Sequence, residues 1–345
     1  MERRKLAVGY HAGVVEAIDC SWSSVLASYR ESVAEVFFAM PGDVAGVRQS
    51  DHPAAEKAAR FFRDLERLRN LGMVGVLLFD ASCYGGGMVS KPFFEHVKWS
   101  VQEVKRHIRL KAVVTMTLPL AEFLKGVFPD VEIRASVNEQ VGTMNQLEYA
   151  GRHYDGFYLK RDVARDVAHL AKVRKWCDEH GKTLHLVANN GCLAECPFML
   201  EHLNVMSHGA ELAAKETPWK GRGMQCREAL FIEENHVRIL QGGWIRPEDI
   251  AKVEAYFDTI TLLSDDIPQA RKVLEAYANG RWDGDLLELL EPSHAGLAGM
   301  PPLRNDMFPD DWFEKTSTCG HACDGCGYCE DVLAKMSAHM SEQGR

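Results

Sequence analysis

Between residues 5 and 263 the chain alternates short apolar, β-branched runs with longer amphipathic ones. This alternation is the strongest constraint on the fold, because parallel strands need a helical crossover and strands buried on both faces read as nearly continuous apolar runs. The candidate strands are "KLAVGY" (5–10), "EVFFAM" (35–40), "VGVLLFD" (74–80), "KAVVTMT" (111–117), "VEIRAS" (131–136), "GFYLK" (156–160) and "TLHLVAN" (183–189). A last strand falls on either "HVRIL" (236–240) or "DTITLL" (258–263). Between them, "HPAAEKAARFFRDLERLRNLG", "KPFFEHVKWSVQEVKRHI" and "RDVARDVAHLAKVRKWCDEHG" carry apolar residues at three- and four-residue spacing. Eight or nine such units predict an α/β fold, a (β/α)8 TIM-type barrel with a C-terminal cysteine-rich tail; "VGYHAGVV" lacks the glycine-rich first turn that a Rossmann sheet would need. The expected division is a barrel over 1–292, with an insert near 189–230, then a connector and cysteine-rich segment over 293–345 ending in the helix "EDVLAKMSAHMSEQ".

A chain of 345 residues, 46% hydrophobic and 26% charged, can bury a core of that size. The formal net charge of −9 argues against general attraction to nucleic acid or to an anionic membrane. The opening "MERRKLAVGYHAG" has a basic tip but no apolar stretch of signal-peptide length, so a cytoplasmic location is expected.

In such a barrel the residues just after each strand line the active face. Here they are His11, Asp80, Thr117, Ser136 with Asn138, Lys160 with Arg161 and Asp162, then Asn189 and Asn190. Asn138, Arg161, Asn189 and Asn190 are the candidate catalytic groups, and His11, Asp80, Ser136, His202, His208 and Arg222 the candidate substrate contacts. Each position is also one where Ser, Asn or Asp serves as a turn or cap. Lys215, Lys220, Arg222 and Arg227 form a basic stretch around Cys226 that suits either a solvated loop or a carboxylate or phosphate ligand.

Ten cysteines without a secretion signal point to metal or redox chemistry rather than a disulfide framework. Cys20, Cys83 and Cys177 stand singly and read as packed thiols. The other seven form two groups. "CGHACDGCGYC" holds Cys319, Cys323, Cys326 and Cys329 with gaps of three, two and two residues, while "NNGCLAECPF" and "GMQCR" hold Cys192, Cys196 and Cys226. A dense run suits iron–sulfur ligation better than the two separated pairs of structural zinc, which stays the alternative. Cys319, Cys323 and Cys326 also have the CxxxCxxC spacing of radical-SAM enzymes, although that loop normally follows the first barrel strand.

"NNGCLAECPF", His202 and His208, Cys226, "GGWIRPEDI" (242–250) and "AYANGRWDGDLLELL" (276–290), in this order, resemble the U32 or collagenase-like peptidase family over roughly residues 110 to 290. The resemblance implies a TIM-type barrel, and its better understood branches are iron–sulfur proteins of oxygen-independent hydroxylation. It further implies cluster ligation by Cys192, Cys196 and Cys226. This chain lacks a fourth barrel cysteine at matching spacing and adds the 319–329 tail, so one or two 4Fe–4S clusters are expected: either Cys319 completes the barrel cluster and leaves the other three tail cysteines on a second one, or the barrel cluster keeps an open iron facing the substrate.

The leading expectation is therefore a redox enzyme performing hydroxylation or related oxygen transfer on an unidentified substrate. Hydrolysis, as the family name implies, is the second, though neither "HExxH" nor "GxSxG" occurs. A third is a noncatalytic subunit that passes electrons or substrate to a companion protein.

Overall fold

The computed structural model describes residues 5–12, 14–15, 20–42, 54–208 and 225–343. Eight parallel strands close into a barrel: β1 (Leu6–Gly9), β2 (Val33–Phe38), β3 (Val74–Phe79), β4 (Leu110–Thr115), β5 (Glu132–Ala135), β6 (Gly156–Tyr158), β7 (Thr183–Val187) and β8 (Thr259–Leu262). Each pairs with the next, and β8 closes on β1 through Leu6↔Ile260. The predicted (β/α)8 architecture is the observed one. Of the two candidates for the last strand, "DTITLL" is the strand; Val237–Leu240 is instead a single helical turn. A short apolar run has no periodicity with which to tell a strand from a buried helical segment.

The long helices on the barrel's outside are α2 (Ala54–Asn70), α3 (Lys91–His107), α6 (Val167–Glu179) and α8 (Ile267–Asn279), with shorter α1 (Trp22–Ser28), α4 (Leu118–Val127), α5 (Met144–Ala150) and α7 (Met199–Ser207). Their starts follow local chemistry. Ser90 accepts from the Phe93 amide at 3.3 Å to begin α3, and Thr143 with Gln146 forms a reciprocal capping box on α5. The helix predicted from residue 161 starts only at Val167, because Asp166 accepts from the His169 amide at 2.9 Å and caps it there. Arg161–Val163 is a separate 3-10 turn that leaves its side chains at the barrel mouth.

The main apolar core lies between strands and helices, where Leu77, Val113, Ile133 and Phe157 meet Val97, Leu124, Leu170 and Leu274, all 0% exposed. Inside the barrel the upper half is apolar, with Val76, Ala112, Val114, Tyr158 and Val187 in one cluster. The lower half is ionic. Arg134 on β5 donates to both carboxylate oxygens of Glu35 on β2, at 2.7 and 3.0 Å, and to Glu132 at 2.8 Å. Lys111 reaches Glu35 at 2.6 Å, Thr183 donates to Glu132, and His185 sits 2.6 Å from the Thr259 hydroxyl. Burial alone would push the Glu35 carboxyl up, but the hydrogen bonds and charge of Arg134 outweigh it and hold the group at about 2.

The connector and tail share this core. Leu303, Phe308, Trp312, Phe313, Val332 and Met336 are buried members of the main cluster, and the last helix, α9 (Tyr328–Gln343), packs on the Val237–Leu240 turn. Among the described residues no helix is long and apolar enough to cross a membrane.

Candidate functional site

The C-terminal ends of the strands carry the polar residues that the sequence places there, and Arg161 is their hub. Its Nη2 donates to Asn138 Oδ1 at 3.0 Å, and its charge acts on Asp80, Cys192 and His202. Ser136 Oγ donates to Asp80 Oδ2 at 3.4 Å, while Asp80 Oδ1 is buried without a partner. Burial raises the Asp80 carboxyl to about 6, against which Ser136 and Arg161 pull it down. This places a carboxyl with a raised pKa beside Ser136 and within range of Arg161 at the barrel mouth.

Because the pKa is raised, the native state holds this proton more tightly than the unfolded chain, and stability falls as pH rises from the ordinary carboxylate range through about 6. Asp80→Asn is expected to gain on the parent protein over that window, by on the order of 2 kcal/mol above it. Urea titrations at pH 4 and pH 8 check this; a gap of equal size at both would show that ionisation of Asp80 is not the cause.

His11, on the β1 side of the mouth, lies 2.9 Å from the Ser264 hydroxyl and edge-on to Trp22. Burial lowers it to about 4, so it is neutral at physiological pH. Asn189 is fully committed to structure: its Nδ2 donates to the carbonyls of Leu263 and Leu289 at 2.7 Å each, and its Oδ1 accepts from the Leu263 amide at 2.8 Å. It ties the end of β7 to β8 rather than facing a substrate. Asn190 Oδ1 accepts from the Cys192 amide at 3.2 Å, and its Nδ2 is buried and unpaired. His202 lies on α7, where burial and then Arg161 lower its pKa; His208 ends that helix, its amide donating to Asn204 O at 3.0 Å. Arg222, with Lys215 and Lys220, lies outside the described residues.

The loop after β7 carries Cys192 and Cys196, and Cys226 begins the short helix Gln225–Ala229. The three thiols lie within range of one another's charge: burial raises the pKa of Cys192, Arg161 lowers it and Cys196 raises it; burial raises Cys226, to which Cys192 and Cys196 both add. The β6–α6 loop grips this segment, with Lys160 bonded to Glu195 at 2.8 Å and to Asp162 at 2.9 Å. Ser82, after β3, donates to Asn204 Oδ1 at 2.6 Å and so holds α7 over the mouth.

The four tail cysteines, Cys319 included, line a second cavity of about 440 Å³, together with Gln241 and Tyr328. Among the described residues no three His, Cys, Asp or Glu side chains converge as they would around one metal ion. Cys177 is buried, and burial raises it to about 11, as befits an inert core thiol. Cys83 accepts from the Gly85 amide at 3.3 Å.

Two groups escaped sequence reasoning. Glu291 packs against the end of β7, its amide donating to Asn189 O at 2.8 Å while its carbonyl accepts from Gly191 at 2.8 Å. Burial first, and then the charge of Asp265, raise its carboxyl to about 8. Only fold closure brings residues 265 and 291 together at the mouth. The available signal was glycine: a Cβ on Gly191 would collide with the Pro292 carbonyl. Gly191→Ala is therefore expected to lower stability by about 1–3 kcal/mol, the usual cost of overpacking, read as a drop in melting temperature. An unchanged melt would mean the 291–294 segment does not sit on the loop.

Fold and site together define an α/β barrel protein with a polar, thiol-bearing C-terminal mouth, the face on which barrel enzymes act. The chain is 24% identical over 264 residues to an uncharacterized protease of Methanocaldococcus jannaschii, covering 75% of this chain and 76% of the relative. A solved U32 peptidase structure superposes with a TM-score of 0.54 at 14% identity, over 77% of this chain and 95% of that one. No protein-family model matches the chain. The chain is thus similar in sequence to an uncharacterized protease and in fold to a U32 peptidase.

Proposed function

We propose that the protein is an enzyme of the U32 type whose barrel mouth holds an iron–sulfur cluster on Cys192, Cys196 and Cys226, with a second on Cys319, Cys323, Cys326 and Cys329. The observation that supports this reading is that four cysteines line one cavity of about 440 Å³, while Cys192, Cys196 and Cys226 lie within range of one another's charge after β7. Thiolate sets of this kind suit iron and sulfide. Three protein thiolates leave one iron free to bind a substrate oxygen, which is the chemistry that such a group supplies when bound. Arg161 and Asn138 would orient a polar substrate at the mouth, and Asp80 would take or return a proton near neutral pH. The reaction class is oxygen transfer without molecular oxygen, on a substrate that the residues do not name.

A second reading, peptide hydrolysis, is favoured by the name of the relative and by Glu291, whose carboxyl is raised to about 8 by burial and then by the charge of Asp265. Anaerobic purification with iron and sulfide quantitation, followed by peptidase assays with and without exposure to air, separates the two. Iron and sulfide in about fourfold ratio to each thiol group, lost in air, support the first. Peptide cleavage by iron-free protein, unaffected by air, supports the second and defeats the first.

A further inference from the structure

The seam where β8 closes on β1 pairs Val8 with Leu262, and just beyond it the two strand ends bring a histidine to a serine. His11 Nε2 lies 2.9 Å from Ser264 Oγ, although the two are 253 residues apart in the chain. Both side chains are half-buried, so neither is sealed off from the barrel mouth.

Each partner is held by its neighbours. Asn189 accepts from the Leu263 amide at 2.8 Å and donates to the Leu263 carbonyl at 2.7 Å, which clamps the residue before Ser264. On the other flank, the Asp265 amide donates to Gln269 Oε1 at 2.7 Å, and the Gln269 amide donates to Asp266 Oδ1 at 2.9 Å. His11 packs edge-on to Trp22 with ring centres 5.2 Å apart, and Trp22 Nε1 donates to Gly9 O at 2.8 Å. Between Gly9 and His11, the Tyr10 amide donates to Phe37 O and its hydroxyl to Asp64 Oδ2, both at 2.9 Å. The pair is thus ordered before any reactant arrives, which is what rapid attack within a bound complex requires.

The imidazole is in the state that a base needs. Burial keeps it neutral, while the charge of Asp266 favours the imidazolium that forms when it takes a proton. In the tautomer with its proton on Nδ1, Nε2 accepts from the Ser264 hydroxyl. His11 also lines a cavity of about 40 Å³ with Tyr10, Ser21 and Trp22, which has room for water.

We propose that Ser264 and His11 are the nucleophile and base of a site that hydrolyses carboxylic esters or peptide bonds through an acyl-serine. The inference deepens the second reading above, peptide hydrolysis, and needs no bound iron. Ser264 Oγ adds to the carbonyl carbon as His11 Nε2 takes its proton, and the carbonyl electron pair moves onto its oxygen. That pair returns to expel the alcohol or amine, which leaves with the proton from His11. Water from the cavity beside His11 then adds to the acyl-serine, giving a proton to His11, and Ser264 Oγ departs with that proton. The acid is released and both side chains return to their starting state.

The test uses the full chain, purified anaerobically, with iron measured on the same sample. A fluorophosphonate, which traps activated serines, is applied and the modified peptide located by mass spectrometry; turnover is followed with p-nitrophenyl acetate and with a casein digest assay. The expected result is label on Ser264 with ester turnover, both lost in Ser264→Ala. His11→Ala should label and turn over about 10²–10⁴-fold more slowly, the usual contribution of a general base. Added imidazole should restore part of that rate, which it would not do for a histidine that only ties the seam. Unlabelled Ser264 in the parent, or label and turnover surviving in Ser264→Ala, overturns the pair; an unchanged rate in His11→Ala overturns the base. Should His11→Ala fail to fold, Ser264→Ala decides alone. Peptide cleavage with Ser264 unlabelled sinks this inference and leaves the hydrolytic reading standing. Labelled Ser264 with ester turnover and no peptide cleavage supports the pair and defeats peptides as its substrate.

Discussion

Replacing Cys192, Cys196 and Cys226 together by serine is expected to remove about half of the bound iron and to abolish turnover, while the tail keeps its share. Serine is nearly isosteric but a poor ligand for iron in such clusters, so the substitution deletes donors without opening a cavity. The mirror experiment, serine at 319, 323, 326 and 329, should remove the other half. Cutting the chain before Cys319 would be a poorer version of it. Val332 and Met336, 2% and 1% exposed, belong to the main core, and their loss would uncover Trp312 and Phe313. Iron loss after truncation would therefore mix ligand removal with unfolding. Full iron content in either serine variant would defeat the two-site reading.

Arg134→Met should cost about 3–5 kcal/mol of stability, the usual penalty for leaving a buried charge without its partner. Glu35 and Arg134 are both 0% exposed, and Glu35 would keep only Lys111. The pH dependence carries a definite sign. The folded-state pKa of Glu35 lies at about 2, below its unfolded value of 4.5, so its contribution is complete above 4.5 and is lost as pH falls toward 2. The gap between variant and parent should narrow through that window in denaturant titrations. Adding Glu35→Leu to Arg134→Met should recover much of the loss, since a buried pair exchanged for apolar groups of similar volume is often close to neutral. A single variant as stable as the parent would show that the network contributes no net stability.

Helices and strands were readable because their causes are local. β-branched runs at 74–79 and 110–115 sit on both-face-buried strands, and α3 starts where Ser90 offers a cap followed by a proline. Strand ends carry function in a closed barrel, which is why Asp80, Ser136, Asn138 and Arg161 were recognisable as one mouth from their positions alone. Asn189 shows the limit of that rule: the same position serves equally as a clamp, and only its three bonds to Leu263 and Leu289 decide which. The start of α6 at Val167 was obscured because apolar spacing continued upstream through a turn that Asp166 terminates.

Cysteine spacing marked the tail group and the pair Cys192 and Cys196, since residues a few positions apart cannot avoid one another; Cys226, thirty residues on, was joined to that pair through the family resemblance. Chain order could not say whether Cys319 looks to the barrel or to its own neighbours; the fold puts it on the tail cavity. Nor could it pair Glu291 with Asp265. Those relations depend on barrel closure and on the packing of the connector and α9, which bring distant segments within range of charge and hydrogen bonds. Periodicity and capping act over a few residues and are written in the chain. Burial, desolvation and the charge each group feels exist only once the whole core has formed.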